Sequence, residues 1–169
     1  MNQCTEKFNS KIIGQFKSNV TNKQIWNIIS KPSNLELFHP FCKKNTVLKW
    51  SQSDALDEIE YYSGLVYTRN FINWIDGVGY DLLIGEKDSN KSFVSWRIQN
   101  TNNAILTVSI YPYKYNTGSK FIKIFPYLIL VQPLLQKYIN SVMLGLEYYI
   151  KNNKKVKKNQ FGSIRFFSN

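Results

Sequence analysis

The side chains able to do nucleophilic or acid–base chemistry are few and widely spaced in this sequence. His39 is the only histidine, so a Ser–His or Cys–His pair would have to use it. It lies between Phe38 and Pro40 at the end of a predicted helix, where simple packing or a position at a cavity mouth is the preferred interpretation. The two cysteines, Cys4 and Cys42, do not have the spacing of a metal motif. The sequence therefore assigns no catalytic residue and no metal ligand, and it predicts no cofactor.

Other ionisable or glycine-rich stretches have ordinary structural interpretations. The acidic side chains within residues 57–60 begin a predicted strand, where a solvated sheet edge is the default. Residues 77–79 join two predicted strands instead of opening a helix, so they do not predict a phosphate-binding loop. An enzyme that acts inside a cavity would need an acid–base pair there, for example Asp81 with Tyr61 or His39.

Aromatic side chains are abundant enough to line a cavity as well as to fill a core. The chain of 169 residues contains Tyr 11, Phe 11 and Trp 4, and 43% of its residues are hydrophobic. This composition excludes a disordered protein, and the length fits one domain. The polar N-terminus lacks the apolar segment of a secretory signal, and two cysteines give no disulfide framework. A reducing, cytoplasmic location is therefore expected.

The formal charge of +11 comes almost entirely from lysine. One dense group, called the lysine cluster below, follows the last predicted helix: Lys151, Lys154, Lys155, Lys157 and Lys158. Proteins that read nucleic-acid sequence usually carry arginine for bidentate base contacts, so no specific nucleic-acid partner is expected. A solvated helix end that complements the helix dipole is the preferred interpretation. Transient contact with an anionic membrane is the alternative.

Hydrophobic periodicity predicts a strand, two short helices, a run of strands and one long helix. Residues 8–17 alternate with period two, as a half-buried strand does. Thr21 and Gln24 have the spacing of a capping box, and Pro32 suits the first turn of a second short helix. Six further strands are predicted over 43–50, 57–67, 69–76, 79–87, 92–100 and 104–115. A long amphipathic helix over 131–152, with Pro133 in its first turn, ends the series.

Short links between the strands require antiparallel neighbours, which makes the sheet a meander. Within 93–99, apolar and polar residues alternate, so one face of the sheet packs against the core and the other face is exposed to solvent. The long helix is the element large enough to cover the apolar face. The predicted fold class is α+β, with a seven-stranded curved antiparallel sheet, two short helices and one long C-terminal helix around an apolar cavity.

Two segments carry a resemblance to a known superfamily. Val20–Pro32 reads VTNKQIWNIISKP, a capped helix with an Ile-Trp pair, and Phe38–Phe41 is an aromatic-proline segment. In this element order the chain resembles the START-related superfamily, also called SRPBCC, over about residues 8–152. The superfamily includes the major birch-pollen allergen, polyketide cyclase-like proteins and coenzyme-Q-binding proteins. The resemblance implies one ligand-binding domain over 1–169, with a core at about 8–152 and a basic tail over 153–169.

That resemblance also implies a helix-grip fold, whose cavity between sheet and C-terminal helix holds sterols, lipids, polyketides or hormones. No catalytic motif of any branch matches this sequence, so no catalytic residue is carried over. The side chains expected to face the cavity are Tyr61, Trp74, Trp96, Tyr138, Val142, Met143, Leu146 and Tyr149. Arg97 is a candidate partner for a polar ligand group if its guanidinium points inward, and Arg69 is a second. Solvent exposure is the competing interpretation of both arginines.

Three functions remain open at this stage. Binding, transport or sequestration of a hydrophobic small molecule such as a lipid or polyketide is the leading one. A cyclase- or dehydratase-type enzyme in the same cavity is the second. A peripheral membrane or protein-interaction module, docking through Ile122–Leu130 and the lysine cluster, is the third.

Overall fold

The computed structural model describes residues 10–100, 103–117 and 127–168. Residues 8–9 of the first predicted strand and residues 122–126 of the candidate docking segment lie outside this part of the chain. Cys4 also lies outside it.

Seven antiparallel strands form one sheet, as the alternation predicted. Their order across the sheet is β1-β7-β6-β5-β4-β3-β2, so the first strand pairs with the last and the others follow as a meander. The strands are β1 Ile12–Ser18, β2 Cys42–Lys49, β3 Leu56–Tyr61, β4 Val66–Ile75, β5 Gly79–Gly85, β6 Ser92–Asn100 and β7 Ala104–Tyr111.

Two short helices follow the first strand, and the longest helix follows the last. The helices are α1 Asn22–Ile29, α2 Leu35–Phe38, α3 Tyr113–Asn116 and α4 Gln132–Asn152, with a 3-10 turn at Gln52–Asp54 and a π-helical turn at Tyr127–Val131. Thr21 Oγ1 accepts a hydrogen bond from Gln24 N at 3.2 Å, and Gln24 Oε1 accepts one from Thr21 N at 2.9 Å. The predicted capping box and the α+β fold class are both confirmed. Among the described residues, no helix is long and apolar enough to cross a membrane.

Two predicted strands are longer than the real ones. The strand predicted over 57–67 ends at Tyr61, because Gly64 adopts a φ of 86° and turns the chain into β4. The strand predicted over 104–115 ends at Tyr111, because Pro112 cannot donate to the ladder and α3 begins after it.

Helix α4 approaches its neighbours closely at two glycines. A Cβ on Gly14 of β1 would overlap Ile139 of α4, and a Cβ on Gly145 of α4 would overlap the Phe38 carbonyl oxygen at the end of α2. Ile139 and Phe38 are themselves fully buried. The long helix is therefore held against β1 on one side and α2 on the other, and the space left between helix and sheet lies between these contacts.

We expect Gly145→Ala to lower the free energy of unfolding by about 1–3 kcal/mol. An alanine here gains about 1 kcal/mol of helix propensity, but its methyl group would overlap the Phe38 carbonyl oxygen, so backbone atoms would have to shift. Chemical denaturation of this variant and of the exposed-site control Leu144→Ala would measure the difference. Similar stability for wild type and Gly145→Ala would show that α2 can shift.

Candidate functional site

A cavity of about 290 Å³ lies between the concave face of the sheet and α4. Most of its wall is apolar, and the aliphatic part includes Ile59, Leu82, Val94, Val108, Ile139 and Val142. Exposed Glu86, Ser89 and Asn90, around the β5–β6 turn, line one part of it, so that part opens toward solvent. The polar side chains His39, Tyr61, Arg69 and Tyr138 also line the wall. The arrangement is a largely apolar chamber with a small polar region.

Four of the residues predicted to face the cavity do line it. They are Tyr61 on β3, Trp96 on β6, and Tyr138 and Val142 on α4. Their side chains reach the cavity because β-strand alternation and the i, i+4 spacing of the helix direct them to the same space. Their contact with a ligand stays a prediction.

The other residues predicted on α4 lie beyond the end of the cavity. Met143 packs beside Gly14 of β1, Leu146 is fully buried in the core, and Tyr149 is half-buried against it. In this part of α4 the helix packs closely against its neighbours, with Gly145 against the Phe38 carbonyl oxygen and Met143 beside Gly14.

Trp74 belongs to a separate group of rings at the end of β4. Its ring lies 5.4 Å from Trp26 of α1 and 5.5 Å from Tyr80 of β5, measured between centroids. Trp74 Nε1 donates to Asp76 Oδ1 at 2.9 Å. These rings pack α1 onto the sheet, and Tyr80 in turn lies 5.7 Å from Trp96 at the cavity wall.

Arg97 lies on the opposite face of the sheet from the cavity. Tyr80 and Trp96 pair across β5 and β6 on the covered face, so the adjacent Asp81 and Arg97 point to the other face. Arg97 Nη2 donates to Asp81 Oδ2 at 2.6 Å, and Asn73 Nδ2 donates to the same oxygen at 2.9 Å. The predicted acid–base pairing of Asp81 with Tyr61 or His39 is therefore wrong.

His39 instead begins a chain of hydrogen bonds with two tyrosines. His39 Nδ1 accepts the backbone N–H of Phe41 at 3.2 Å, so in the neutral ring Nε2 carries the proton. That N–H donates to Tyr138 Oη at 2.8 Å, and the Tyr138 and Tyr61 hydroxyls are 3.2 Å apart. One phenol donates to the other, which leaves one hydroxyl hydrogen for a group in the cavity.

Burial keeps all three members of this chain uncharged. It is the main cause that lowers the pKa of His39 to about 3, and the nearby positive charge of Arg69 lowers it further. Burial also raises the pKa of the Tyr61 and Tyr138 hydroxyls well above their ordinary value. At neutral pH the three groups are hydrogen-bond donors and acceptors, and none is a strong base.

A buried ion pair forms the second polar element of the wall. Arg69 Nε and Nη2 donate to the two oxygens of Asp57 at 2.7 and 2.5 Å, and Nη2 also lies 3.4 Å from Asn34 Oδ1 and 3.3 Å from Asn45 Oδ1. None of these four bonds uses Arg69 Nη1. Asp57 and Arg69 are both buried, so the interpretation of this acidic run as a solvated edge is wrong for Asp57, and solvent exposure is wrong for Arg69.

One residue of the wall comes from the basic tail. Phe167, 15 residues beyond the end of α4, lines the cavity beside Tyr61 and Tyr138. Phe167 is not among the residues predicted to face the cavity, although the aromatic pair Phe166–Phe167 stands out in a tail that is otherwise rich in polar residues. All five members of the lysine cluster are exposed, and Lys151 Nζ lies 2.5 Å from Glu147 Oε1 within α4.

Within residues 10–100, 103–117 and 127–168, no three His, Cys, Asp or Glu side chains come together as metal ligands. Cys42 is a buried free thiol in the described part of the chain, and burial raises its pKa to about 12.

No protein-family model matches this sequence, and no curated protein is similar to it in sequence. Solved structures do share its fold. DynU16, a protein of the dynemicin biosynthetic locus, matches with a TM-score of 0.65 and 9% sequence identity. The match covers 89% of this chain and 52% of DynU16, so the chain spans about half the length of that protein. The protein TTHA0849 from Thermus thermophilus has a TM-score of 0.63 and 13% identity, with 85% of this chain and 99% of that one covered.

Norcoclaurine synthase from Thalictrum flavum has a TM-score of 0.52 and 14% identity, with 82% of this chain and 95% of that one covered. The shared feature is a curved antiparallel sheet with short helices and a long C-terminal helix lying across it. The chain therefore has a helix-grip fold, which it shares with these three proteins at the level of structure.

Proposed function

We propose that this protein binds a hydrophobic small molecule, such as a lipid or polyketide, in the cavity between the sheet and α4. The observation that carries the proposal is the cavity itself, about 290 Å³ in volume with a mainly aliphatic and aromatic wall. Ligand sites are typically about 300–1,000 Å³, so this volume suits a small occupant. Binding would draw on apolar burial, worth about 25 cal/mol per Å² before the cost of association.

The polar side chains of the wall indicate what the ligand carries. The phenol pair at Tyr61 and Tyr138 has one hydroxyl hydrogen to donate. The NH2 group at Arg69 Nη1 takes no part in the hydrogen bonds between Arg69 and Asp57. Asp57 already neutralises Arg69, so a second carboxylate would add an unbalanced buried charge. A neutral oxygen acceptor, such as a ketone, ester or phenol oxygen, fits this end of the cavity.

We expect a ligand of this class to raise the melting temperature, because a molecule that binds only the folded state stabilises it by about 2.7 kcal/mol at a concentration of 100 Kd. The measurement is a thermal-shift screen across naphthols, hydroxylated polyketide mimics, sterols and fatty acids. Val108→Phe, which fills the cavity, should abolish the shift, whereas the exposed-site control Val78→Phe should retain it. The absence of any shift, or an equal shift in Val108→Phe, would contradict binding in the cavity.

A second candidate is an enzyme of cyclase or dehydratase type, and the hydrogen-bonded series His39–Tyr138–Tyr61 favours it. A neutral phenol held by a neutral histidine could donate to a carbonyl oxygen and polarise it. Norcoclaurine synthase shows that an enzyme can use this fold. Mass spectrometry of molecules recovered after incubation separates the candidates, because an enzyme returns a changed mass and a binding protein returns the probe intact.

We propose that the exposed lysine cluster is a solvated helix end that binds no partner. The partner of this domain is then the small molecule in the cavity. The charges of the cluster lie on the surface, where ion pairs such as Lys151–Glu147 contribute at most about 1 kcal/mol. A docking role for Leu128, Ile129 and Leu130, which are exposed in the π-helical turn, remains the alternative proposal.

A further inference from the structure

The chain turns back after α4 and runs along the edge of the cavity. Residues 153–168, called the C-terminal strap below, begin at Asn153, whose left-handed backbone (φ 51°) ends the helix. Val156 N donates to Leu37 O and Asn159 N donates to Pro40 O, both at 3.0 Å. These bonds fix the strap to α2 and to the segment that follows it, which presents His39.

Side-chain hydrogen bonds hold the second half of the strap in place. Ser141 Oγ of α4 donates to Phe161 O at 3.1 Å, and Ser63 Oγ of the β3–β4 turn donates to Phe166 O at 2.9 Å. Ile164 N donates to Ser168 Oγ at 2.8 Å and closes a tight turn around Phe167. The strap therefore bridges the helix and the sheet on either side of the cavity.

This turn directs one of two adjacent phenylalanines inward. The Phe167 side chain is 8% exposed, and its ring centroid lies 4.6 Å from Tyr138, 4.9 Å from Tyr61 and 6.5 Å from Phe41. Phe166, the preceding residue, is 64% exposed. The Phe167 ring is therefore part of the cavity wall, whereas the Phe166 ring is exposed to solvent.

We propose that Phe167 sets the size of ligand that the cavity accepts, by closing the cavity beside the two tyrosine hydroxyls. The inference rests on the proposed binding function and adds a specificity-determining residue to it. Removing a buried ring from a packed wall leaves space that neighbouring side chains only partly fill. An engineered apolar cavity of about 150 Å³ binds benzene, so the space of the missing ring can take one further ring of a ligand.

The test compares Phe167→Ala with its matched control Phe166→Ala. The probes are 2-naphthol and 2-hydroxyanthracene, which carry the same hydroxyl group and differ by one ring. Fluorescence titration gives the ratio of their dissociation constants in each protein. We expect Phe167→Ala to shift this ratio about tenfold in favour of the larger probe, and Phe166→Ala to keep the wild-type ratio. A wild-type ratio in Phe167→Ala would overturn the proposal.

A second measurement separates this proposal from the binding function. His39 is the only histidine, so its NMR titration reports the polar end of the cavity without any ligand. Opening the wall should raise the pKa of His39 toward its ordinary value in Phe167→Ala and leave it unchanged in Phe166→Ala. If no probe binds any of the three proteins, the proposed binding function is wrong. If the pKa of His39 is the same in Phe167→Ala as in wild type, the proposal that Phe167 closes the cavity is wrong as well. Phe167→Leu serves for both measurements if the alanine variant does not fold.

Discussion

Replacing Asp57 with Asn is expected to lower the free energy of unfolding by about 3–5 kcal/mol, because it leaves a buried guanidinium without its counter-charge. Asp57 and Arg69 are both buried, and Asp57 receives two charge-assisted hydrogen bonds at 2.7 and 2.5 Å. Asn34 and Asn45 contact the same guanidinium at 3.4 and 3.3 Å, but their amides bring no charge. Urea denaturation of wild type and variant at pH 7 measures the loss.

The chain offers a matched control for this substitution. Asp54 pairs with Lys49 at 3.0 Å on the surface, where both side chains are more than half exposed, so Asp54→Asn should cost less than about 1 kcal/mol. A double variant, Asp57→Leu with Arg69→Met, removes both charges and should regain much of the stability that Asp57→Asn loses. Equal losses for Asp57→Asn and Asp54→Asn would mean that water reaches Arg69 through the cavity.

Local patterns were sufficient to predict the seven strands, the two short helices after the first strand and the long C-terminal helix, but not the short helix α3. The capping box at Thr21 and Gln24, the alternation in residues 93–99 and the stripe around Tyr138 each depend on neighbours within a few residues. Short links then required an antiparallel meander, and a sheet with one apolar face required the long helix as its cover. The cavity was expected from the resemblance to helix-grip proteins, and Tyr61, Trp96, Tyr138 and Val142 lie on its wall.

The parts of the site that escaped prediction depend on contacts between distant residues. An acidic residue such as Asp57 is usually solvated, and its burial makes sense only once Arg69 is known to pair with it across β3 and β4. A register shift between Phe71 and Asn73 changes which β4 side chains face inward, so strict alternation assigns the end of that strand poorly. Phe167 reaches the wall only because the strap is bonded to Leu37, Pro40 and Ser63.

Lowering the pH from 7 to 5 is expected to cost about 2 kcal/mol of stability through His39 alone. In the folded chain, burial first and the charge of Arg69 second lower the pKa of His39 to about 3, against an ordinary value of 6.5. Between these values the unfolded chain binds one more proton than the folded chain, so stability falls as the pH falls. Each pH unit within this window corresponds to about 1.4 kcal/mol, and the loss ends near pH 3, where both states are protonated.

The variant His39→Asn isolates this contribution, because its amide oxygen can replace Nδ1 as acceptor of the Phe41 N–H but does not titrate. The free energy of unfolding, measured by urea denaturation at pH 7, 6 and 5, should decline more steeply in wild type by about 2 kcal/mol over this range. The 11 carboxylates of the chain are common to both proteins, so their contribution cancels in the difference. Parallel stability profiles would show that His39 is hydrated or protonated in the fold. A steeper wild-type profile would establish that His39 stays uncharged beside the phenol pair at neutral pH, so that it acts there as a hydrogen-bond donor to Tyr138 and not as a cation.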